Sequence, residues 1–133
     1  MVIDSSALIA LLLDEPKTAD FVAALAADTN RLLSASSYLE IAIVMMGRWG
    51  PNAVETLDRL LDELSIDVMP FSREQAVLAI AAYREFGKGR GHAAGLNFGD
   101  CFWYGLAKCT GDPLLFKGDD FSRTDLVPAV RNL

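Results

Sequence analysis

The chain has 133 residues, about the size of one domain, and 52% of them are apolar, so a single core spanning 1–133 is expected with apolar surface left over for a partner. No apolar run approaches the ~18 residues that span a bilayer, and the N-terminus has neither the basic region nor the cleavage site of a signal peptide, which points to a cytoplasmic protein without membrane association. Twelve Lys and Arg against eighteen Asp and Glu give a formal charge of −6, which counts against a nucleic-acid partner unless clustered acids hold cations that reverse the local field.

The chain opens with Met1-Val2-Ile3, a short buried strand, followed by Asp4, two serines and the apolar helix Ala7–Leu13. In open α/β sheets ligands sit beyond the carboxyl ends of strands, which is where Asp4 falls. Asp14-Glu15-Pro16 is a turn, and Phe21, Val22, Leu25 and Ala26 recur at helical spacing. Arg31–Ala35 reads as a buried strand. Ser36 and Ser37 are suited to cap a helix through Tyr38, Ile41, Val44 and Met45, which Trp49-Gly50-Pro51 ends. A further helix carries Val54, Leu57, Leu60, Leu61 and Leu64 on one face. Ile66–Met69 alternates as a strand, and Ser72 with Gln75 forms a capping-box pattern before a helix whose core face is Ala76, Ile80 and Tyr83. The Gly-rich, basic segment 87–95 is a flexible loop. Asn97 opens the helix Phe98–Cys109, and Leu114–Phe116 is the last strand. Alternating strands and helices without a repeat or linker call for a parallel sheet covered by helices on both faces.

Four acidic positions stand out, each with a structural reading beside the chemical one. Asp4 is a natural helix N-cap. Glu40 is the only charge on an apolar helix that is expected to be buried, so it needs a match: a salt bridge, with Arg48 for example, or a metal or catalytic role. Asp100 suits reciprocal capping with Asn97. Asp119 and Asp120 follow the last strand, where acidic pairs are ordinarily just solvated. Taken together, all these points face one sheet edge, and converging carboxylates repel unless cations intervene. An oxygen-only ligand set suits Mg²⁺ or Mn²⁺, and the matching chemistry is phosphoryl or phosphodiester cleavage by metal-activated water. His92 is the only histidine, which excludes a His-based zinc site, and no Walker A or dinucleotide motif is present. Cys101 and Cys109 share one helix and read as reduced core thiols.

Several segments resemble the PIN domain, in particular the VapC-type toxins of bacterial toxin–antitoxin pairs: Val2-Ile3-Asp4-Ser5-Ser6-Ala7-Leu8, Asp14-Glu15-Pro16, Ser36-Ser37-Tyr38-Leu39-Glu40, Leu96-Asn97-Phe98-Gly99-Asp100-Cys101-Phe102 and Leu114-Leu115-Phe116-Lys117-Gly118-Asp119-Asp120-Phe121. The resemblance implies a three-layer sandwich with a central parallel sheet of four to five strands. It implies Asp4 and Asp100 as principal metal ligands, Glu40 as the third acid, and Asp119 or Asp120 as the fourth, with Asp119 slightly favoured. It implies Ser6 as the hydroxyl that orients ligands. The activity implied is Mg²⁺-dependent endoribonuclease, with a VapB-type antitoxin as inhibitor and a homodimer as the working unit. Arg84, Lys88, Arg90 and His92 are then candidate RNA contacts, their structural alternative being a solvated loop. Two other functions are weighed against it: a non-catalytic PIN-like module that binds RNA or protein, and a metal-dependent small-molecule phosphatase.

Overall fold

Four short strands run parallel in the order β3-β2-β1-β4: β1 (Val2–Ile3), β2 (Arg31–Ser34), β3 (Ile66–Met69) and β4 (Leu114–Leu115). The computed structural model describes residues 1–16, 18–118 and 120–130. Helices α1 (Ser5–Leu12) and α2 (Ala19–Ala27) lie between β1 and β2 in sequence, and α3 (Ala35–Trp49) and α4 (Ala53–Glu63) between β2 and β3. Helices α5 (Arg73–Phe86) and α6 (Asp100–Thr110) lie between β3 and β4, and a 3-10 turn, Asp120–Arg123, follows.

The register of the strands explains the two helix layers. Val2 is paired with Leu32 and Leu114, and Ile3 with Leu33 and Leu115. Side chains alternate across a strand, so the first set points to one face and the second to the other. Val2, Leu32 and Leu114 pack with Trp103, Leu106 and Ala107 of α6 and Ala82 and Phe86 of α5. Ile3, Leu33 and Leu115 pack with residues of α1 to α4, among them Leu8, Phe21, Ile41 and Leu57. Strands this short suffice at the centre of the sheet because β1 and β4 are apolar and buried on both faces, whereas Asp67 and Val68 of the edge strand β3 are exposed. Arg31 ties α2 and α4 to the amino end of β2. Its Nε donates to the carbonyls of Leu25 (2.9 Å) and Asp28 (2.8 Å), and Nη1 donates to that of Leu64, satisfying free carbonyls at the ends of α2 and α4.

The outer edge of β4 is closed by the chain itself. Leu114 N–H donates to the Val127 carbonyl at 2.9 Å, Ala129 N–H donates to the Leu114 carbonyl at 2.8 Å, and Leu114 is bridged to Pro128. The same segment is held to α6 by Tyr104, whose hydroxyl donates to Asp125 at 2.5 Å, and by Lys108, 2.6 Å from the same carboxylate.

Several sequence expectations need correction. The first helix begins at Ser5, capped by Asp4 itself. The third begins at Ala35 with Ser34 as its N-cap, so Ser36 and Ser37 lie inside it, and Ser36 Oγ is 2.9 Å from Ser34 Oγ. The sixth begins at Asp100 rather than Phe98. Ser72 does cap α5, accepting from Gln75 N–H at 3.2 Å, but the Gln75 amide donates to the Pro70 carbonyl instead of returning to the cap. The buried face of α5 is Gln75, Ala79, Ala82 and Phe86, one residue out of register with the expected Ala76, Ile80 and Tyr83, and Ile80 is exposed. Helix α6 dictates that rotation. A Cβ at Gly105 would stand 2.6 Å from the Gln75 carbonyl oxygen, so the two helices approach this closely only because Gly105 carries none. Cys101 and Cys109 are free thiols, but each is only partly buried.

Gly105→Ala is therefore expected to force α5 and α6 apart and cost about 1–3 kcal/mol in urea unfolding. A loss below about 0.5 kcal/mol, the range of an ordinary surface change, would show that the close approach matters little.

Candidate active site

The carboxyl ends of β1, β2 and β4 share one edge of the parallel sheet, and the chain leaves that edge at Asp4, Ser34 and the segment beginning with Phe116. A cavity of about 240 Å³ opens there. Asp4, Glu40 and Asp100 all line it, together with Ser5, Ser6, Asn97 and Lys117. Trp103 and Phe121 form an apolar wall, their rings edge to face at 4.3 Å. The three acids thus come from the end of a strand and the first or second turn of two helices, as the alternation of elements predicts.

Asp4 is 4% exposed. It accepts hydrogen bonds from Ser6 N–H at 3.2 Å, from the Ser6 hydroxyl, and from the Ser5 hydroxyl at 3.3 Å. It is the N-cap of α1, so the capping role is real and does not pass to Ser5 or Ser6. Burial pushes its carboxyl pKa above the ordinary carboxylate value, the Ser6 bonds pull it back in part, and the negative charge of Glu40 adds to the rise. Among the described residues no cation is paired with Asp4 or Glu40.

Glu40 is exposed, against the expectation of a buried helix. Only Ser37, Ile41, Ala42 and Met45 of α3 are buried, while Leu39, Ile43, Met46 and Trp49 face outward. The apolar character all round the helix was real, but this chain covers only half of it. Glu40 therefore needs no buried partner; it stands at the cavity rim and acts on Asp4 through its charge.

Asp100 makes the reciprocal cap with Asn97. Its Oδ2 accepts from Asn97 N–H at 2.8 Å, while its own N–H donates to Asn97 Oδ1 at 3.0 Å. With Asp4 and Asp100 both engaged as caps, the three carboxylates share a cavity without closing on a point. Among the described residues no three acids, histidines or cysteines form a ready-made metal cage. Asp119 lies outside the described residues, as does the side chain of Asp120, whose backbone opens the 3-10 turn.

The donors still suit a hard divalent cation. They are oxygens only, one is a buried carboxylate destabilised by lost hydration and by a second carboxylate, and a cation would relieve both. Mg²⁺ commonly binds through one or two carboxylates, retaining waters and taking substrate phosphate oxygens, and does not need a protein cage.

The basic loop sits elsewhere. Lys88, Arg90 and His92 are exposed beyond the Gly87–Leu96 bridge, and Arg84 is exposed in the last turn of α5. Arg84 and Arg90 line a separate apolar groove of about 490 Å³ between α5 and α6, with Phe71, Tyr83, Phe98 and Phe102. His92 is tied into its own loop, its Nδ1 accepting from Ala94 N–H at 3.1 Å and its ring edge-on to Phe86 at 4.9 Å. Sequence reasoning missed Lys117 as a cavity residue, and Phe98, which is 78% exposed beside Asp100. The signal for Lys117 was its place, two residues beyond the last strand.

A sequence model described as PIN domain matches residues 1–127. The chain belongs to the PIN-domain family. Similar PIN-domain proteins include Ribonuclease VapC30 of Mycobacterium tuberculosis, 54% identical over 126 residues that cover 95% of each chain. Ribonuclease VapC of Mycolicibacterium smegmatis is 50% identical over 126 residues, 95% of this chain and 97% of the relative. Among solved structures, VapC20 of M. tuberculosis, described as a sarcin-ricin loop cleaving toxin, superimposes with a TM-score of 0.74 at 15% identity over 98% of both chains. A chain of a toxin–antitoxin complex from Klebsiella pneumoniae gives 0.67 at 18% identity over 91% of this chain and 89% of that one. At such identities these two structures speak for the fold, the α/β sandwich around a parallel sheet that the sequence pattern called for.

The electrostatics of Asp4 have a measurable consequence in the metal-free PIN domain. Because its pKa is raised on folding, Asp4 favours the folded state most below the ordinary carboxylate value, and that contribution is lost as pH rises through the raised value. Asp4→Asn keeps a good N-cap and removes the buried charge. In metal-free buffer the variant is expected to melt higher than the parent at pH 7, with the difference closing as pH falls toward 4. A difference that widens on acidification would show that the folded state favours the ionised carboxyl.

Proposed function

We propose that this chain is a metal-dependent endoribonuclease that acts as the toxin of a toxin–antitoxin pair, with Mg²⁺ as the working cation and the chain operating as one PIN domain in the cytoplasm. The observation that carries the reading is the buried Asp4, without a protein cation among the described residues, in one cavity with Glu40 and Asp100, in a chain 54% identical to a named VapC ribonuclease.

Asp4 and Asp100 would hold the cation, with Glu40 at the rim as a further ligand or as the acceptor that orients a water. A divalent cation bound there supplies a lowered water pKa and neutralises charge on the phosphate. The residues of the chain do the positioning. Ser6 fixes Asp4 through its hydroxyl and amide, and Asn97 fixes Asp100. Trp103 and Phe121 limit water at the back of the cavity. Asp119 or Asp120 remains the proposed fourth acid, and Arg84, Lys88, Arg90 and His92 the proposed outer contacts to RNA. Single-stranded or looped RNA suits such a site, since the strand must present its phosphate at the end of a sheet.

Asp4→Ala and Asp100→Ala are each expected to reduce RNA cleavage by about 10²–10³-fold or more while the proteins stay folded, and chelation should abolish cleavage until Mg²⁺ is restored. Parent-level cleavage by either variant in a clean preparation would remove the nuclease assignment. Faster hydrolysis of nitrophenyl phosphate than of RNA would favour the phosphatase alternative.

The working unit is proposed to be a homodimer, and the inhibitor a small VapB-type antitoxin. Support for the dimer comes from apolar surface. Leu39 and Ile43 of α3 meet Phe98 and Phe102 in one groove, and the last two meet Ile80 of α5 in the next, giving a continuous exposed apolar face. Exposed apolar faces that run across neighbouring helices are the kind of surface on which soluble proteins meet partners. The double variant Ile43→Glu, Ile80→Glu should elute as a folded monomer in light-scattering chromatography where the parent is a dimer. A parent that is monomeric at micromolar concentration would refute the dimer.

A further inference from the structure

Among the described residues, Lys117 is the one basic residue lining the acid cavity. Its backbone is fixed there: Lys117 N–H donates to Ser6 Oγ at 3.0 Å, and the same hydroxyl donates to Asp4. Two hydrogen bonds in series therefore set the position of Lys117 relative to the Asp4 carboxylate. Beyond the backbone the side chain is half exposed, and its ammonium is paired with Glu15, in the turn that follows α1. An exposed Lys–Glu pair of this kind adds little to folding stability, so holding the fold together is a poor account of it. Arg84 and Arg90 line the separate apolar groove and not this cavity.

We propose that Lys117 binds a phosphate of the RNA strand beside the scissile one, and that Glu15 is its resting partner, exchanged for the phosphate when RNA enters. The inference rests on the ribonuclease reading and adds a substrate contact to it. A chain of net charge −6 must draw a polyanion to a cavity lined by carboxylates, and a lysine at the rim supplies a local positive point on a flexible stem. Its anchored backbone roots the flexible side chain beside Asp4, and Glu15 holds the ammonium before substrate arrives. Neutralising Glu15 should then strengthen RNA binding, whereas neutralising Lys117 should weaken it. A clasp that merely held the fold would move both variants in the same direction.

The test is binding of a fluorescein-labelled single-stranded RNA of mixed sequence to the full chain, followed by anisotropy in EDTA across a range of KCl. Lys117→Met is expected to bind about fivefold more weakly at low salt, with the slope of log K against log[KCl] reduced by about 0.7, one phosphate contact fewer. Lys117→Arg should keep the parent slope. Glu15→Gln should bind about two- to threefold more tightly. An unchanged slope in Lys117→Met, or weaker binding in both neutralising variants, overturns the proposal while leaving a parent that cleaves RNA as a ribonuclease. A parent that neither binds nor cleaves RNA overturns the ribonuclease reading and this contact together.

Discussion

A carboxylate buried where a two-residue strand turns into a helix is the constraint on which the rest of the site depends. Asp4 must end β1, because extended backbone there lets it cap α1, and it must be buried, because α1 packs directly on the sheet. Burial of an anion is unfavourable, and the fold meets that cost with two hydroxyls and one amide, with no cation among the described residues. The result is a negative centre with its protein bonds nearly all made by donors that also serve α1. Its unmet demand is for positive charge, which a bound divalent cation would supply together with a lowered water pKa.

The same economy of parts recurs at Asp100. Its carboxylate and Asn97 cap one another, so a residue that contributes charge to the cavity also begins α6. The capping role that the sequence offers as a rival to the chemical one does not take Asp100 out of the cavity. The outer surface follows a different logic. Helix α3 is apolar on the face that no other element covers, and the exposed Phe98 ridge joins that face to α5 right beside the acids. The exposed apolar face and the acid-lined cavity therefore meet within a few residues of one another.

The sheet, its order of elements and the convergence of Asp4, Glu40 and Asp100 were legible because they rest on alternation and on the geometry of parallel strands, which are local patterns. What was not legible depended on contacts between distant segments. The rotation of α5 is set by the missing Cβ of Gly105, thirty residues after Gln75. The exposure of Glu40 follows from how much of α3 the chain can cover, and an apolar helix face carries no mark saying whether its cover is the same chain or another. Lys117 escaped notice because acids drew attention beyond Gly118, while its own role emerges only once Ser6 and Glu15, over a hundred residues earlier, come beside it.

Proline at the margins of the sheet bears on how such a chain survives its own synthesis. Pro128 lies along the outer side of β4 and offers no N–H to an incoming strand, and Pro70 stops β3 at the opposite margin. Sheets with open borders recruit other chains, long apolar edge strands above all, and β4 is only two residues long with its outer side already paired. Sealing one border with a segment anchored by Tyr104 and ending the other at a proline leaves little free strand edge on which another chain could stack.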